Sequence, residues 1–312
     1  MRAVTVRDGA VSVEEHPDPR PQAGEILVRI RAAGLNGADV LQMKGRYPAP
    51  PGSPPDIPGL EFAGEVAECG PGVHRFEPGD RVMAVVGGGG QAELIAVNER
   101  LVMPLPDELD WDAAGGVPEV FTTAHDALFS QGGLTAGERL LVHGAAGGVG
   151  TAALQLGAMA GARVTASVRN EGSRERIAAL GVNAITPDDF EAAGPFDVIL
   201  ELVGAPNMPA NLKALAERGR ICVIGVGAGP KAEVNLLLLM AKRGSIHAST
   251  LRARSLEDKA AAARLVEKNV LPGFAMGDLS VPVARAFELD RAADAYAFFQ
   301  EPGKLGKVVL TL

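Results

Sequence analysis

From residue 1 to about residue 110, short apolar runs alternate with Gly, Pro, Asp and Asn. The runs at 3–6, 25–31, 62–68, 81–86 and 92–97 have strand length, and this punctuation predicts a β-rich barrel or sandwich. Residues 46–59, RYPAPPGSPPDIPG, carry no helical period and predict a long loop, on the surface or lining a cleft.

Near residue 118 the pattern changes. Apolar runs at 139–144, 163–168, 183–186, 196–202, 220–225 and 245–250 now alternate with helical spacing at 148–161 and 173–180. Near-continuous apolar strands separated by helices predict a parallel sheet covered on both faces. Residues 256–270 again have helical spacing, and the tail returns to strand-like runs at 281–288 and 307–312. The densest apolar run, 234–241, is too short to span a bilayer, so no membrane partner is expected.

Glycine is the compositional outlier, at 39 of 312 residues, against an ordinary share of about 7%. The glycines lack a three-residue period and are interleaved with Val, Leu, Ile and Ala. Collagen and disordered linker are therefore excluded, leaving a fold with many tight backbone positions. A net charge of −8 with no Lys/Arg block argues against a nucleic-acid partner. Only two cysteines, Cys69 and Cys222, are present, so neither a disulfide framework nor a four-cysteine zinc site is available. Together with an N-terminus (MRAVTVR) that lacks an apolar signal core, this leads us to expect a reducing, cytoplasmic setting.

The strongest motif is Gly144-Ala145-Ala146-Gly147-Gly148-Val149-Gly150, between the run RLLVHG and an Ala-rich helical segment. In a strand–turn–helix context Gly147 lets the backbone approach a pyrophosphate, and Gly150 lets the helix pack closely on the strand. The helix N-terminus then offers free N–H groups to the phosphates. NAD sites place an acid about 20 residues further on. Here Ser167, Val168, Arg169 and Asn170 occupy that place. Arg169 and Arg174 could instead meet a 2′-phosphate as bidentate donors, so NADP(H) is the expected cofactor.

The order of short motifs resembles the medium-chain dehydrogenase/reductase superfamily, specifically its zinc-independent, zeta-crystallin-like quinone oxidoreductase branch. The matching pieces are GLNGAD at 34–39, GRYP at 45–48, PGLEFAG at 58–64, GDRV at 79–82, Thr123-Ala124, VHGAAGGVG at 142–150, Gly219-Arg220 with Gly225, and GKVVL at 306–310. The resemblance implies an α/β chain: a GroES-like β-rich domain (1–117 and 251–312) plus a doubly wound Rossmann domain (118–250), with the nicotinamide in a cleft. It implies a homodimer joined near residues 244–250. Thr123 resembles the residue that holds the nicotinamide amide, and Ser167, Val203, Gly225 and Val226 complete the expected cofactor-binding set. Zinc-using relatives place Cys where Asn36 stands and His where Leu60 stands. Asn and Leu cannot supply that thiolate and imidazole, so no metal is expected.

Without a metal, the cofactor carries the reaction and the protein positions the acceptor. Asn36 through its amide and Tyr47 through its hydroxyl are the expected catalytic donors to a developing oxyanion. Asp39 and Glu61 read as capping and structural carboxylates, His143 as a core residue and Lys307 as a surface charge. Glu201 stands where relatives carry Asp and receives no role. The expected activity is hydride transfer from NADPH to a quinone or to the C=C of an enone or enal. The alternatives are an enoyl or alkenal reductase with a narrow substrate, and a non-catalytic NADPH-binding sensor or structural protein.

Overall fold

The computed structural model describes all 312 residues, which form two compact units. The first comprises Met1–Thr122, Leu251–Glu301 and Gly306–Leu312, and the second Thr123–Thr250 with Pro302–Leu305.

The first unit opens with a hairpin of β1 (Arg2–Arg7) and β2 (Ala10–Glu15). Its two-residue turn, Asp8-Gly9, has positive φ at both positions (52° and 81°), the geometry that matches strand twist. There follow β3 (Glu25–Gly34), α1 (Gly37–Met43), β4 (Glu61–Cys69), β5 (Arg81–Val85), β6 (Leu94–Asn98), β7 (Val102–Pro104) and α2 (Trp111–Ala114), and α3 (Pro118–His125) straddles the boundary with the second unit. The second unit holds β8 (Arg139–His143), α4 (Gly148–Met159), β9 (Arg163–Ser167), α5 (Glu171–Ala178), β10 (Asn183–Ile185), α6 (Phe190–Ala193), β11 (Phe196–Glu201), α7 (Met208–Ala214), β12 (Leu215–Val223), α8 (Leu236–Lys242) and β13 (Ser245–Ala248). The tail adds α9 (Leu256–Asn269), α10 (Leu271–Ala275), β14 (Val283–Glu288), α11 (Ala292–Gln300) and β15 (Lys307–Thr311).

In the first unit the sheet runs β14-β15-β3-β4-β5-β7, with β6 also on β3. The ten-residue β3 takes β6 along its first half (Glu25↔Asn98) and β15 at its end (Val309↔Gly34), so the last strand of the chain completes a sheet begun by the third. One core gathers Ile26, Val28, Ile30, Phe62, Val66 and Val82; another gathers Val4, Leu35, Val40, Phe287, Tyr296 and Leu310.

The second unit is a wholly parallel sheet in the order β10-β9-β8-β11-β12-β13. Its central strands, RLLVH and FDVILE, are buried on both faces, hence their near-continuous apolar character. Counted within the unit, the order is 3-2-1-4-5-6, with its reversal between β8 and β11. Sheets of this kind take ligands outside the carboxyl ends of the strands, at that reversal.

Several elements depart from the sequence reading. β2, β7, α1, α2, α3, α6, α7, α8, α10 and α11 are additional. β12 begins at Leu215 rather than 220, and α5 begins at Glu171 because Asn170 caps it, its Oδ1 accepting from Ser173 N at 2.9 Å.

Candidate functional site

The glycine loop stands directly at the reversal. β8 ends at His143, Gly144 turns the chain with φ 63°, and α4 begins at Gly148. No side chain caps α4, so its first-turn N–H groups are left for a ligand. A Cβ on Gly150 would lie 2.6 Å from both Ala145 Cα and Gly144 O, so only glycine lets the loop fold onto the helix. A Cβ on Gly147 would meet nothing nearer than Gly144 O at 3.5 Å, and the space above that backbone is open. Ala145 is buried, while Ala146, Gly148 and Val149 are half-exposed. This cradle fits a pyrophosphate.

Neighbouring strand ends supply the other expected cofactor residues. Ser167 ends β9, buried, and pairs in register with His143. Arg169 is exposed. Arg174 donates to Val168 O at 3.4 Å and lies 4.0 Å from Glu171. No acid occupies 167–170. Val203 follows β11; Gly225 and Val226 follow β12. Thr123 is buried on α3.

In the first unit a second polar centre surrounds Asn36. Lys307, read from the sequence as a surface charge, is 3% exposed. Its ammonium donates to Leu35 O (2.9 Å), Asn36 Oδ1 (2.8 Å) and Glu61 Oε1 (2.6 Å). Glu61, fully buried, also accepts from Asn36 Nδ2 (2.8 Å) and Glu119 N (2.8 Å). A lysine can only donate, so the orientation of the Asn36 amide is fixed. Asn36, one of the two expected donors, thus already spends its amide within the chain. One amide hydrogen is held by Glu61, and the other makes a longer 3.4 Å contact with Gly34 O. Asp39 accepts from Asn36 N (2.8 Å), Gly59 N (3.1 Å) and Gln91 Nε2 (3.3 Å), and burial raises its pKa to about 6.

Tyr47 follows α1, half-buried, and its hydroxyl makes no hydrogen bond within the chain. A residue missed from the sequence holds it. Arg252, 3% exposed, donates to Tyr47 O (2.9 Å), Gly87 O (2.8 Å) and Gln42 Oε1, with its guanidinium 5.0 Å over the Tyr47 ring. Of the two expected catalytic donors, Tyr47 is the open one.

Residues 22–107 match the alcohol dehydrogenase GroES-like domain, and residues 148–268 the zinc-binding dehydrogenase domain. The quinone oxidoreductase of Rattus norvegicus is 31% identical, covering 94% of this chain and 91% of that protein. A component of the phenolphthiocerol/phthiocerol polyketide synthase of Mycobacterium tuberculosis is 34% identical over 97% of this chain, which spans 14% of that protein's length. The crystal structure of an alcohol dehydrogenase superfamily protein from Novosphingobium aromaticivorans superposes with a TM-score of 0.86 at 26% identity, covering 100% of this chain and 99% of that one. The chain belongs to the medium-chain dehydrogenase/reductase superfamily, with its GroES-like and Rossmann folds, and is an oxidoreductase of that superfamily.

The zinc in the name of one matching domain finds a poor donor set here. No three His, Cys, Asp or Glu side chains are arranged to hold a metal ion. Asn36 and Leu60 offer neither thiolate nor imidazole, and the Lys307 ammonium already lies among the Asn36 and Glu61 oxygens. A second cation there would be repelled.

Proposed function

We propose that the chain is an NADPH-dependent, zinc-independent reductase that delivers hydride to a quinone or to the activated C=C of an enone or enal. The observation that carries this reading is the uncapped α4 N-terminus at the sheet reversal, with the open glycine backbone at Gly147. Bound there, NADPH would supply the hydride. Gly147, Gly148 and the first turn of α4 would hold the pyrophosphate. Arg169 and Arg174 would meet the 2′-phosphate. The Tyr47 hydroxyl would donate to the acceptor oxygen as charge develops on it, with Asn36 able to exchange its long Gly34 bond for a second. The full-length similarity to a quinone oxidoreductase supports the acceptor class. A narrower enoyl or alkenal substrate is the second reading, favoured by the match inside a polyketide synthase.

A homodimer joined at β13 is part of this proposal. β13 is an edge strand of the six-stranded sheet, and the α8 that precedes it exposes Leu236, Leu237 and Met240 by 67%, 76% and 72%.

The test is a panel of quinones, enals and enones offered with NADPH and NADH, beside metal analysis of the purified protein. Turnover with NADPH and no stoichiometric zinc is expected. NADPH binding without turnover of any acceptor would favour a non-catalytic sensor, and tightly held zinc would overturn the metal-free mechanism. In Arg169→Ala/Arg174→Ala, unchanged discrimination between NADPH and NADH would remove the 2′-phosphate assignment.

A further inference from the structure

Two fully buried polar residues end the strands on either side of the reversal. His143 closes β8 and Glu201 closes β11, at 1% and 0% exposure. Asn211 of α7, also buried, stands between them. Its Nδ2 donates to Glu201 Oε2 at 2.7 Å, and its Oδ1 lies 2.8 Å from His143 Nε2. Because the carboxylate accepts from Asn211, the amide has one orientation, and His143 must carry its proton on Nε2. Burial lowers the His143 pKa and keeps the ring neutral.

The other carboxylate oxygen shapes backbone. Glu201 Oε1 accepts from Val203 N (2.7 Å), Gly204 N (2.8 Å) and Asn207 Nδ2 (3.3 Å). The backbone carbonyl of Glu201 accepts from Ile224 N (3.0 Å) and Gly225 N (3.1 Å). The loops after β11 and β12 therefore meet at this one residue. They also run backbone against backbone: Ala205 N donates to Gly229 O at 3.0 Å and Ala228 N to Val203 O at 2.9 Å. A Cβ on Gly204 would lie 2.7 Å from Gly229 O, and one on Gly225 2.5 Å from Leu202 O. Gly204 has φ 116°, a conformation open to glycine, and its N–H is one of the two backbone donors to Glu201.

We propose that Glu201 is a positioning residue for dinucleotide binding. Its carboxylate, oriented through Asn211 and His143, holds the loop after β11, and the backbone bonds between that loop and the one after β12 carry the shape to the ground that the cofactor meets beside the glycine loop. This rests on the dinucleotide reading above. A desolvated carboxylate with no cation beside it is costly unless donors surround it. Four donors do so here, and the two that are backbone N–H groups belong to the loop itself.

The substitution Glu201→Gln tests this. The amide keeps the size of the carboxylate but turns one acceptor into a donor. Facing Asn211 it forces that amide to flip, and His143 must then accept on Nε2 and carry its proton on Nδ1. Fluorescence titration should show the Kd values for NADPH and NADH rising together, by about tenfold, the worth of one hydrogen bond to a charged group. Imidazole ¹⁵N shifts should show the Nε2–H tautomer of His143 in the natural protein and Nδ1–H in the variant. Glu201→Asp retains the carboxylate, so it should keep the Nε2–H tautomer and lose less affinity; it also serves if the Gln variant does not fold. Unchanged Kd values in both variants, or an unchanged tautomer in Glu201→Gln, overturn the inference. Failure of the natural protein to bind either cofactor overturns the dinucleotide reading instead.

Discussion

Lys307 spends all three of its N–H groups on Leu35, Asn36 and Glu61, inside a region closed to solvent. Removing one partner of a buried ion pair leaves the other charged and desolvated. Lys307→Met should therefore lower unfolding stability by about 3–5 kcal/mol, measured by urea denaturation, with Lys307→Met/Glu61→Met recovering a large part of the loss. Asp39 makes the opposite contribution. Its folded pKa of about 6 lies above the ordinary 3.8, so the native state keeps a proton that the unfolded chain has released. This contribution is present below about pH 3.8 and lost as pH rises through 6, amounting to about 3 kcal/mol at most. Asp39→Asn should flatten that fall, compared by urea unfolding at pH 4.5 and 7. The glycine loop's strand–turn–helix setting was legible because loop, strand and helix are contiguous in sequence. Lys307 was not, because its partner lies 246 positions away and nothing local marks a buried lysine.

At the scale of elements, the helix α4 and its loop act as one part. Gly150→Ala would drive a Cβ into Ala145 and Gly144 O, so the loop must lift off the helix. We expect cofactor Kd to rise by at least about tenfold, with a loss of roughly 1–3 kcal/mol in stability from overpacking, read by titration and thermal melting. The parallel strands were readable from their apolar runs, since both faces are covered. Elements whose signals are short or mixed were harder. β2 reads AVSVEE and is half-exposed, though its Asp8-Gly9 turn was a usable sign. The seven-residue α1 is too short to show a period, yet it carries Asp39 and, just beyond it, Tyr47. Arg252 lies outside regular structure altogether, and its grip on Tyr47 is set by folding rather than by spacing.

At the scale of the whole molecule, the proposed self-association depends on the apolar face of α8 beside an open sheet edge. Leu237→Glu/Met240→Glu should leave the fold intact, because both side chains are exposed within the chain. It should convert a dimer to a monomer in light scattering; a natural protein that is already monomeric would refute the dimer. No helix is long and apolar enough to cross a membrane.

The first unit also has a history imposed by chain order. Its third strand cannot acquire its β15 neighbour, nor Glu61 its ammonium, until residues 307–311 are made. During synthesis the second unit, almost wholly contiguous from residue 123 to 250, has every strand of its sheet before the first unit has its last. Domains fold as units while the chain emerges, and distant pairings come late. At that stage the second unit has its whole parallel sheet, while Glu61 in the first still lacks its ammonium. Loss of residues 307–312 would make that transient state permanent.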